Sequence, residues 1–578
     1  MNKNIKYSLF LALAAPLFSS CLQEFLPTNG VIQDQVDEGD KTSLADAIPA
    51  YLNTYTQDYS YDIGFAGFNI WRDSSTADMP LYDPTYSYFS YVATCSWLGS
   101  NWALQQLIWE RYYGLIQKTN LVLQAVNPDK YPEDISPAGR AYAFRANTYM
   151  ELGQWYEYKR TGIAGFDNKA EADGIIGMTV PIVTEKTTEI ESRNNPRVPY
   201  YELYRFILSD LNAAERCFHA TPEPTSKINP GLGVTYGLKA RLWLLLGTRF
   251  ELHPDELSTT LAHEDDQDIP FDKLEISSAK DCFLKAADYA RKAINTGYSP
   301  LSETQWFDPK NGFNTVNNAW MWANIITTND GLASSLVWQS WVSYMAPEAA
   351  YGTSSTDYNG YRMIDARLFS QISDSDWRKT TWIDPKDVAD QNAFNTKYAR
   401  GLSIGYDTWK RFQAYAGFKF HPANGECNTS TVGNAVSIPM MRVEEMYLIE
   451  AEAVGRSSGE AAGRALLESF MNSFRTTDGS YKSSGSGLNG FIDDLFTQKR
   501  IEFWGEGLIL WDYKRLEKAI VRGYPGTNSP EQHRFNSLPN YVAPWSTLCI
   551  PVYEQNFNPA VILNPDPSHE GFYDLWTE

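Results

Sequence analysis

The residues best placed to do chemistry are aromatic and amide side chains set close together. The stretch "YSYFSYVATCSWLGSNW" (86–102) puts Tyr86, Tyr88 and Tyr91 at near-alternate positions, then Trp97 and Asn101 four apart. Trp and Tyr pair an apolar ring face with a polar tip. A sugar ring offers C–H faces to such a plane and hydroxyls to a neighbouring amide. Trp97, Asn101 and Tyr88 are therefore candidate glycan contacts. Arg72, Asp73 and Asp78 in "WRDSSTADMP" (71–80) are candidates for further polar contacts. A second aromatic stretch, "SSLVWQSWVSYMAPEAAYG" (334–352), carries Trp338, Trp341, Tyr344 and Tyr351. Core packing is as good a use for most of these rings; for Trp97 the sugar reading is preferred. Trp320 and Trp322 alternate around Met321 as strand residues do, which assigns one of them to the core.

Motifs of bond-breaking chemistry are missing. The six histidines, at 219, 253, 263, 421, 533 and 569, form no HExxH, and there is no GxSxG, P-loop or GxGxxG. "HEDDQD" (263–268) and "DSDW" (374–377) cluster carboxylates that could hold Ca²⁺, which takes several oxygen ligands. A solvated loop is the simpler reading of both, and no other cofactor is expected. A glycoside hydrolase needs two carboxylates at a defined separation, which 70 acidic residues neither reveal nor exclude. No enzyme is expected.

Composition narrows the class further. The net charge of −21 argues against nucleic acid, whose phosphates demand a basic face. Aromatics make up 14% of the chain, with 18 Trp and 36 Tyr against 28 Phe, so rings with a polar tip are favoured. The cysteines at 21, 95, 217, 282, 427 and 549 show no CxxC and no metal spacing; without Cys21 the count is odd, so the rest read as small buried apolar residues.

Residues 1–20 read as an export signal: Lys3 and Lys6, then an apolar run from Tyr7 to Phe18, then Ser19 and Ser20. The run is shorter than the roughly 20 residues that span a bilayer. The order Leu17-Phe18-Ser19-Ser20-Cys21 resembles a bacterial lipobox, which makes Cys21 the lipid-carrying N-terminus and anchors the chain to a membrane without threading it. The alternative is ordinary secretion with cleavage near Ser20.

Helices must position these groups. After a polar linker (21–40), apolar residues keep helical spacing at Leu104, Ile108, Tyr112, Leu115, Thr119, Val122 and Val126. The same holds for Leu203 to Phe218, Ala279 to Ala293 and Val443 to Val454. "FRANTYMELGQWYE" (144–157) and "KARLWLLLGTRFE" (239–251) both place Ala six residues before Leu-Gly, at Ala146 with Gly153 and Ala240 with Gly247. The small Ala lets helices approach and the Gly can end the helix. Each precedes a second helix, about 200–218 and 277–296. Such pairs stack like tetratricopeptide repeats, here without a regular 34-residue period. Residues 60–102 and 300–440 lack helical period and read as loops and short strands. The expected organisation is one domain over 41–578, with a helical scaffold at about 41–300 and 440–578 and a loop-rich insertion at about 300–440.

The motifs together resemble the SusD/RagB family of outer-membrane lipoproteins from glycan-using Bacteroidota, over nearly the whole chain. The resemblance rests on "CLQEFL" (21–26), "WERYYGLIQKTNLVLQAV" (109–126), "AFRANTYMELGQWY" (143–156) and "VPIV" (180–183), the last matching a short strand. It continues through "MRVEEMYLIEAEAVGR" (441–456), "KRIEFWGEGLILWDYKR" (499–515) and "LCIPVYEQNFNPAVILNP" (548–565). One residue departs: Leu508 stands where an Arg often follows Glu-Gly. The resemblance implies a mostly α fold, a tetratricopeptide-like helix-pair superhelix with long aromatic-rich loop insertions and few short strands. It implies a cell-surface glycan-binding protein that does not cleave its ligand and that pairs with a SusC-like TonB-dependent transporter. Arg500, Glu502, Glu506, Asp512 and Arg515 read as ion pairs of the scaffold, not as a catalytic site. The alternative is a transporter lid or protein-interaction scaffold handling a non-sugar ligand such as peptide.

Overall fold

The apolar stripes become a ladder of packed helices. The computed structural model describes residues 41–56, 62–83, 89–310, 313–335, 340–352 and 360–578. The export signal, Cys21, Tyr86, Tyr88 and Trp338 lie outside them. The longer helices used below are α1 (Lys41–Tyr51), α2 (Ala66–Ser75), α3 (Ala103–Ala125), α4 (Ile135–Tyr156), α5 (Tyr200–His219), α6 (Leu232–Leu252) and α7 (Ala279–Ile294). They continue with α8 (Val443–Ser458), α9 (Glu460–Phe474), α10 (Gly487–Glu502) and α11 (Ile509–Leu516). Each helix from α3 to α9 packs on the next in order. The α7–α8 contact closes the ladder across residues 295–442, so that long segment leaves the scaffold and returns to it.

Local chemistry sets the ends. The Ser278 hydroxyl accepts the Asp281 N–H at 3.3 Å while the Asp281 carboxylate accepts the Ser278 N–H at 3.0 Å, a capping box that starts α7. Gly459, at φ +109°, separates α8 from α9.

Gly153 and Gly247 do not end their helices. Both lie inside them, and both mark close approach. A Cβ on Gly153 would sit 2.9 Å from the Leu203 side chain on α5, and one on Gly247 would sit 2.7 Å from the Phe283 ring on α7. The glycine lets the neighbouring helix settle where a methyl group would hold it off.

Residues 66–75, expected as loop, form α2. All ten residues are buried, so this helix shows no apolar stripe to betray it. "VPIV" (180–183) is not a strand either. Pro181 has no N–H to donate, and side chains take its carbonyls instead: Tyr113 donates to Pro181 O at 2.7 Å and Asn120 to Val183 O at 3.1 Å. The sheet is two antiparallel strands, β1 (Trp320–Ile325) and β2 (Ser437–Arg442), at the two ends of the excursion. Register shifts at Trp320, Trp322 and Ala323 break the alternation, and both tryptophans are core rather than one. Trp322 meets Phe144 edge-on at 4.8 Å.

A buried ion network ties the excursion to the ladder. Glu502, fully buried at the end of α10, accepts Arg475 at 2.7 Å, Arg378 at 2.8 Å and Arg442 at 3.1 Å. Glu506 accepts Lys419 at 2.6 Å and Arg442 at 2.8 Å. Asp376 and Glu444 complete a set of four cations and four carboxylates. Elsewhere Arg500 pairs with Asp78, and Arg515 joins Asp512 to Glu452 on α8. Burial alone would raise Glu502, but Arg475, Arg442 and Arg378 outweigh it and hold the carboxyl well below its usual range. Glu452 is lowered likewise against its burial by Arg515 and Arg456. Cys95, Cys217, Cys282, Cys427 and Cys549 are all free and buried.

Two outcomes are expected. Gly247→Ala should lower stability by about 1–3 kcal/mol through overpacking against Phe283, although Ala favours helix by about 1 kcal/mol; a urea melt reads the sign. Because Glu502 and Glu452 are depressed in the fold, their stabilisation is complete above the unfolded carboxyl pKa of about 4.3 and is lost as pH falls below it. The melting temperature should hold from pH 7 to about pH 5 and fall steeply below about pH 4. An unchanged melt at pH 3 would contradict the network's role.

Candidate functional site

The exposed aromatics gather at one loop. Among the described residues, Trp97 and Trp102 are the two tryptophans that count as exposed, at 50% and 44%. The Trp97 ring stacks on Trp102 with centroids 5.0 Å apart and planes 14° apart, and contacts Tyr91 at 4.9 Å. Trp97 is thus the shared ring of a three-ring platform. Asn101 is exposed beside Trp102, just ahead of α3. Trp102 was not singled out from the sequence, although it stands five residues from Trp97.

The loop that carries the platform is fastened along its length. Trp97 has φ +59° and Cys95 φ +49°, conformations uncommon for a bulky side chain. Such backbone persists only where the surroundings over-determine it. Here Gln105, fully buried on α3, donates to Leu98 O at 2.8 Å. The Leu98 N–H reaches Ser568 Oγ at 3.0 Å, and the His569 N–H reaches Cys95 O at 2.9 Å. Arg522, buried, donates to Ala93 O at 2.8 Å, to Ser75 O at 2.7 Å and to Thr76 O at 3.0 Å. It therefore joins the C-terminal end of α2, where a cation suits the helix dipole, to the start of the platform loop. Residues more than 400 positions away in the chain hold Trp97 in place.

The polar candidates upstream belong to the scaffold. Arg72 on α2 pairs with Glu151 at 3.0 Å and donates to Asn69. Asp78 accepts Arg500 at 2.9 Å and the Tyr513 hydroxyl at 3.1 Å. Asp73 accepts the Gly507 N–H at 2.8 Å, and burial pushes its carboxyl up to about 8. All three are buried, Arg72 and Asp73 on the enclosed α2 and Asp78 beyond its end against Arg500 and Tyr513, so they are removed from an exposed ligand surface.

The second stretch is also largely interior. Trp341 stands edge-on to Phe420 at 4.9 Å, and Tyr344 edge-on to Phe89 at 5.0 Å; both are buried. Tyr351 is half-buried. The Tyr344–Phe89 contact joins the two candidate stretches, and just outside them the Tyr82 N–H donates to Tyr361 O at 3.0 Å. Tyr82, 39% exposed, lies flat on the Tyr361 ring at 4.6 Å and adds an outer aromatic that the sequence reading missed. Among the described residues no group of three His, Cys, Asp or Glu side chains could hold a metal ion, and Asp265 of "HEDDQD" pairs with Lys273.

Residues 66–244 match a family described as starch-binding associating with outer membrane, and residues 283–556 match the SusD family. Among solved structures, a SusD-like carbohydrate binding protein from Bacteroides vulgatus is similar, at TM-score 0.63 and 19% identity, covering 90% of this chain and 97% of the other. A SusD superfamily protein from Bacteroides thetaiotaomicron gives 0.61 and 18%, covering 92% and 99%. A laminarin binding SusD-like protein gives 0.58 and 16%, covering 91% and 98%. No curated protein matches the chain.

Gln105→Ala should free the Leu98 carbonyl and loosen the platform. Amide exchange is expected to speed up at residues 95–99 while α3 to α9 stay protected; unchanged exchange there would show that the loop does not depend on this bond.

Proposed function

The chain belongs to the SusD/RagB family, and from that premise we propose that it captures oligo- or polysaccharide at the cell surface on the Tyr91–Trp97–Trp102 platform and hands it to a SusC-like TonB-dependent transporter. One observation carries the reading. Among the described residues most tryptophans are buried, while Trp97 and Trp102 remain exposed and stack side by side on a loop held in an uncommon backbone conformation. An exposed apolar patch is unfavourable in water, and covering it with a ligand or partner is favourable. Stacked indoles with an amide at Asn101 suit a sugar, which presents a flat C–H face with hydroxyls at its rim.

Binding without cleavage fits the same surface. The platform has rings and an amide, and the nearby carboxylates Asp73 and Asp78 are enclosed by the scaffold. Anchoring through Cys21 supports a cell-surface location, and no helix among the described residues is long and apolar enough to cross a membrane. Delivery to a transporter rests on family membership. Relatives named as carbohydrate binding or laminarin binding support a glycan ligand without fixing its linkage, which loop shape decides.

The experiment is a glycan-panel screen on protein lacking residues 1–21, with calorimetry on any hit. Trp97→Ala and Trp102→Ala should each weaken binding at least tenfold, about 1.4 kcal/mol. Melting temperatures should stay near the native value, because both rings are half in water. Binding that survives both changes would move the site elsewhere. No binding across a broad panel would favour a lid or scaffold role with a non-sugar ligand.

A further inference from the structure

The surface around the aromatic platform carries one sign of charge. Two segments build it. Residues 83–110 hold the rings, and the C-terminal stretch 535–578 packs against them, with the Val552 N–H on Ser100 O at 3.0 Å and the Leu98 N–H on Ser568 Oγ at 3.0 Å. Neither segment contains a Lys or an Arg. Arg522, which clamps the loop, is buried and donates to backbone carbonyls. The two segments do supply Glu110, Asp566 and Glu570, all exposed. Elsewhere such carboxylates have a cation beside them, as Asp407 has Lys410 at 2.8 Å and Asp173 has Lys169 at 2.8 Å. Among the described residues these three enter no ion pair.

Asp566 is the one wired to the platform. Its Oδ1 accepts the Ser568 N–H at 2.9 Å and the Ser568 hydroxyl at 2.7 Å. The oxygen of that hydroxyl accepts the Leu98 N–H. The other carboxylate oxygen, Oδ2, lies against the Gly99 backbone, where a Cβ would collide with it. Gly99 stands two residues after Trp97 and three before Trp102. An indole face is itself negative, so it attracts a cation and repels an anion. An unpaired carboxylate held beside it adds a field of the same sign, which reaches about 10 Å at 0.1 M salt. The two effects reinforce each other, and an uncharged sugar feels neither.

We propose that the platform is charge-selective: it takes saccharide chains that bear free amino groups and rejects uronate chains, with Asp566 as the specificity-determining carboxylate. The inference deepens the reading of the platform as a sugar site and rests on it.

The field is read first, without any glycan, on protein lacking residues 1–21, whose described helices begin at Lys41. Fluorescence quenching in this protein minus that in its Trp97→Ala/Trp102→Ala variant reports which ions reach the two rings. Relative to free tryptophan amide, caesium should quench about threefold more efficiently than iodide at low salt, and about 0.5 M sodium chloride should level the two. Asp566→Asn keeps the Oδ1 acceptor for Ser568, removes the charge and should at least halve the caesium preference. Glu133→Gln makes the same change of net charge beyond the far end of α3, a helix about 35 Å long, and should leave the preference unchanged. Calorimetry then uses β-1,4-linked hexamers of glucosamine, glucose and glucuronate. The glucosamine hexamer should bind about tenfold more tightly than the glucose hexamer and the glucuronate hexamer about tenfold more weakly, with the spread shrinking in Asp566→Asn. Equal quenching by the two ions, or a caesium preference that Asp566→Asn leaves intact, would overturn the charge selection even where sugars bind. A caesium preference with hexamers that bind equally, or not at all, would overturn the ligand class. Hexamer binding that persists in Trp97→Ala/Trp102→Ala would overturn the platform reading itself, and this inference with it.

Discussion

A single fully buried carboxylate, Glu502, organises this protein. Three guanidiniums converge on it from three parts of the chain: Arg378 from the excursion, Arg442 from the end of β2, and Arg475 from the end of α9. Transfer of such charges from water is expensive, and the cluster persists only because the charges are balanced and hydrogen-bonded. That demand is geometric. The excursion, the sheet and three helix ends must meet within hydrogen-bond distance or leave an uncompensated charge in the core. Lys419 shows the same constraint, donating to the backbone carbonyls of Glu502 and Trp504 at 2.8 Å as well as to Glu506.

From that knot the platform can be reached through a short run of chain and a series of hydrogen bonds. Glu506 and Gly507 follow Glu502, and the Gly507 N–H binds Asp73 on α2. The end of α2 is clamped by Arg522, which also holds Ala93 at the start of the platform loop. Aromatic rings on a rigid scaffold bind with little loss of side-chain entropy on ligand capture. The surface chemistry thus depends on buried ionic chemistry some way beneath it.

The helical part was legible because its signals are local. The stripe from Leu104 to Val126 became α3 within one residue at either end, and the stripe from Ala279 to Ala293 became α7. The glycines in the two Leu-Gly pairs were misread, because a glycine that ends a helix and one that admits a neighbour look alike without the neighbour. Helix α2 escaped notice because burial on every face erases the periodicity that reveals an amphipathic helix.

For the site, the sequence by itself determined which chemistry was available: rings and amides in a short stretch, an acidic chain and a run of family motifs. It favoured Trp97 as a sugar contact, yet it could not tell which of Trp97 and Trp341 is exposed, nor which of Asn101 and Asp78. Only the tertiary structure made those separations. Burial is fixed by contacts such as Leu98 with Ser568, Asp78 with Arg500 and Tyr344 with Phe89, between residues far apart in the chain. Residue type and spacing specify what a side chain can do; which face of it meets water is a property of the packed whole.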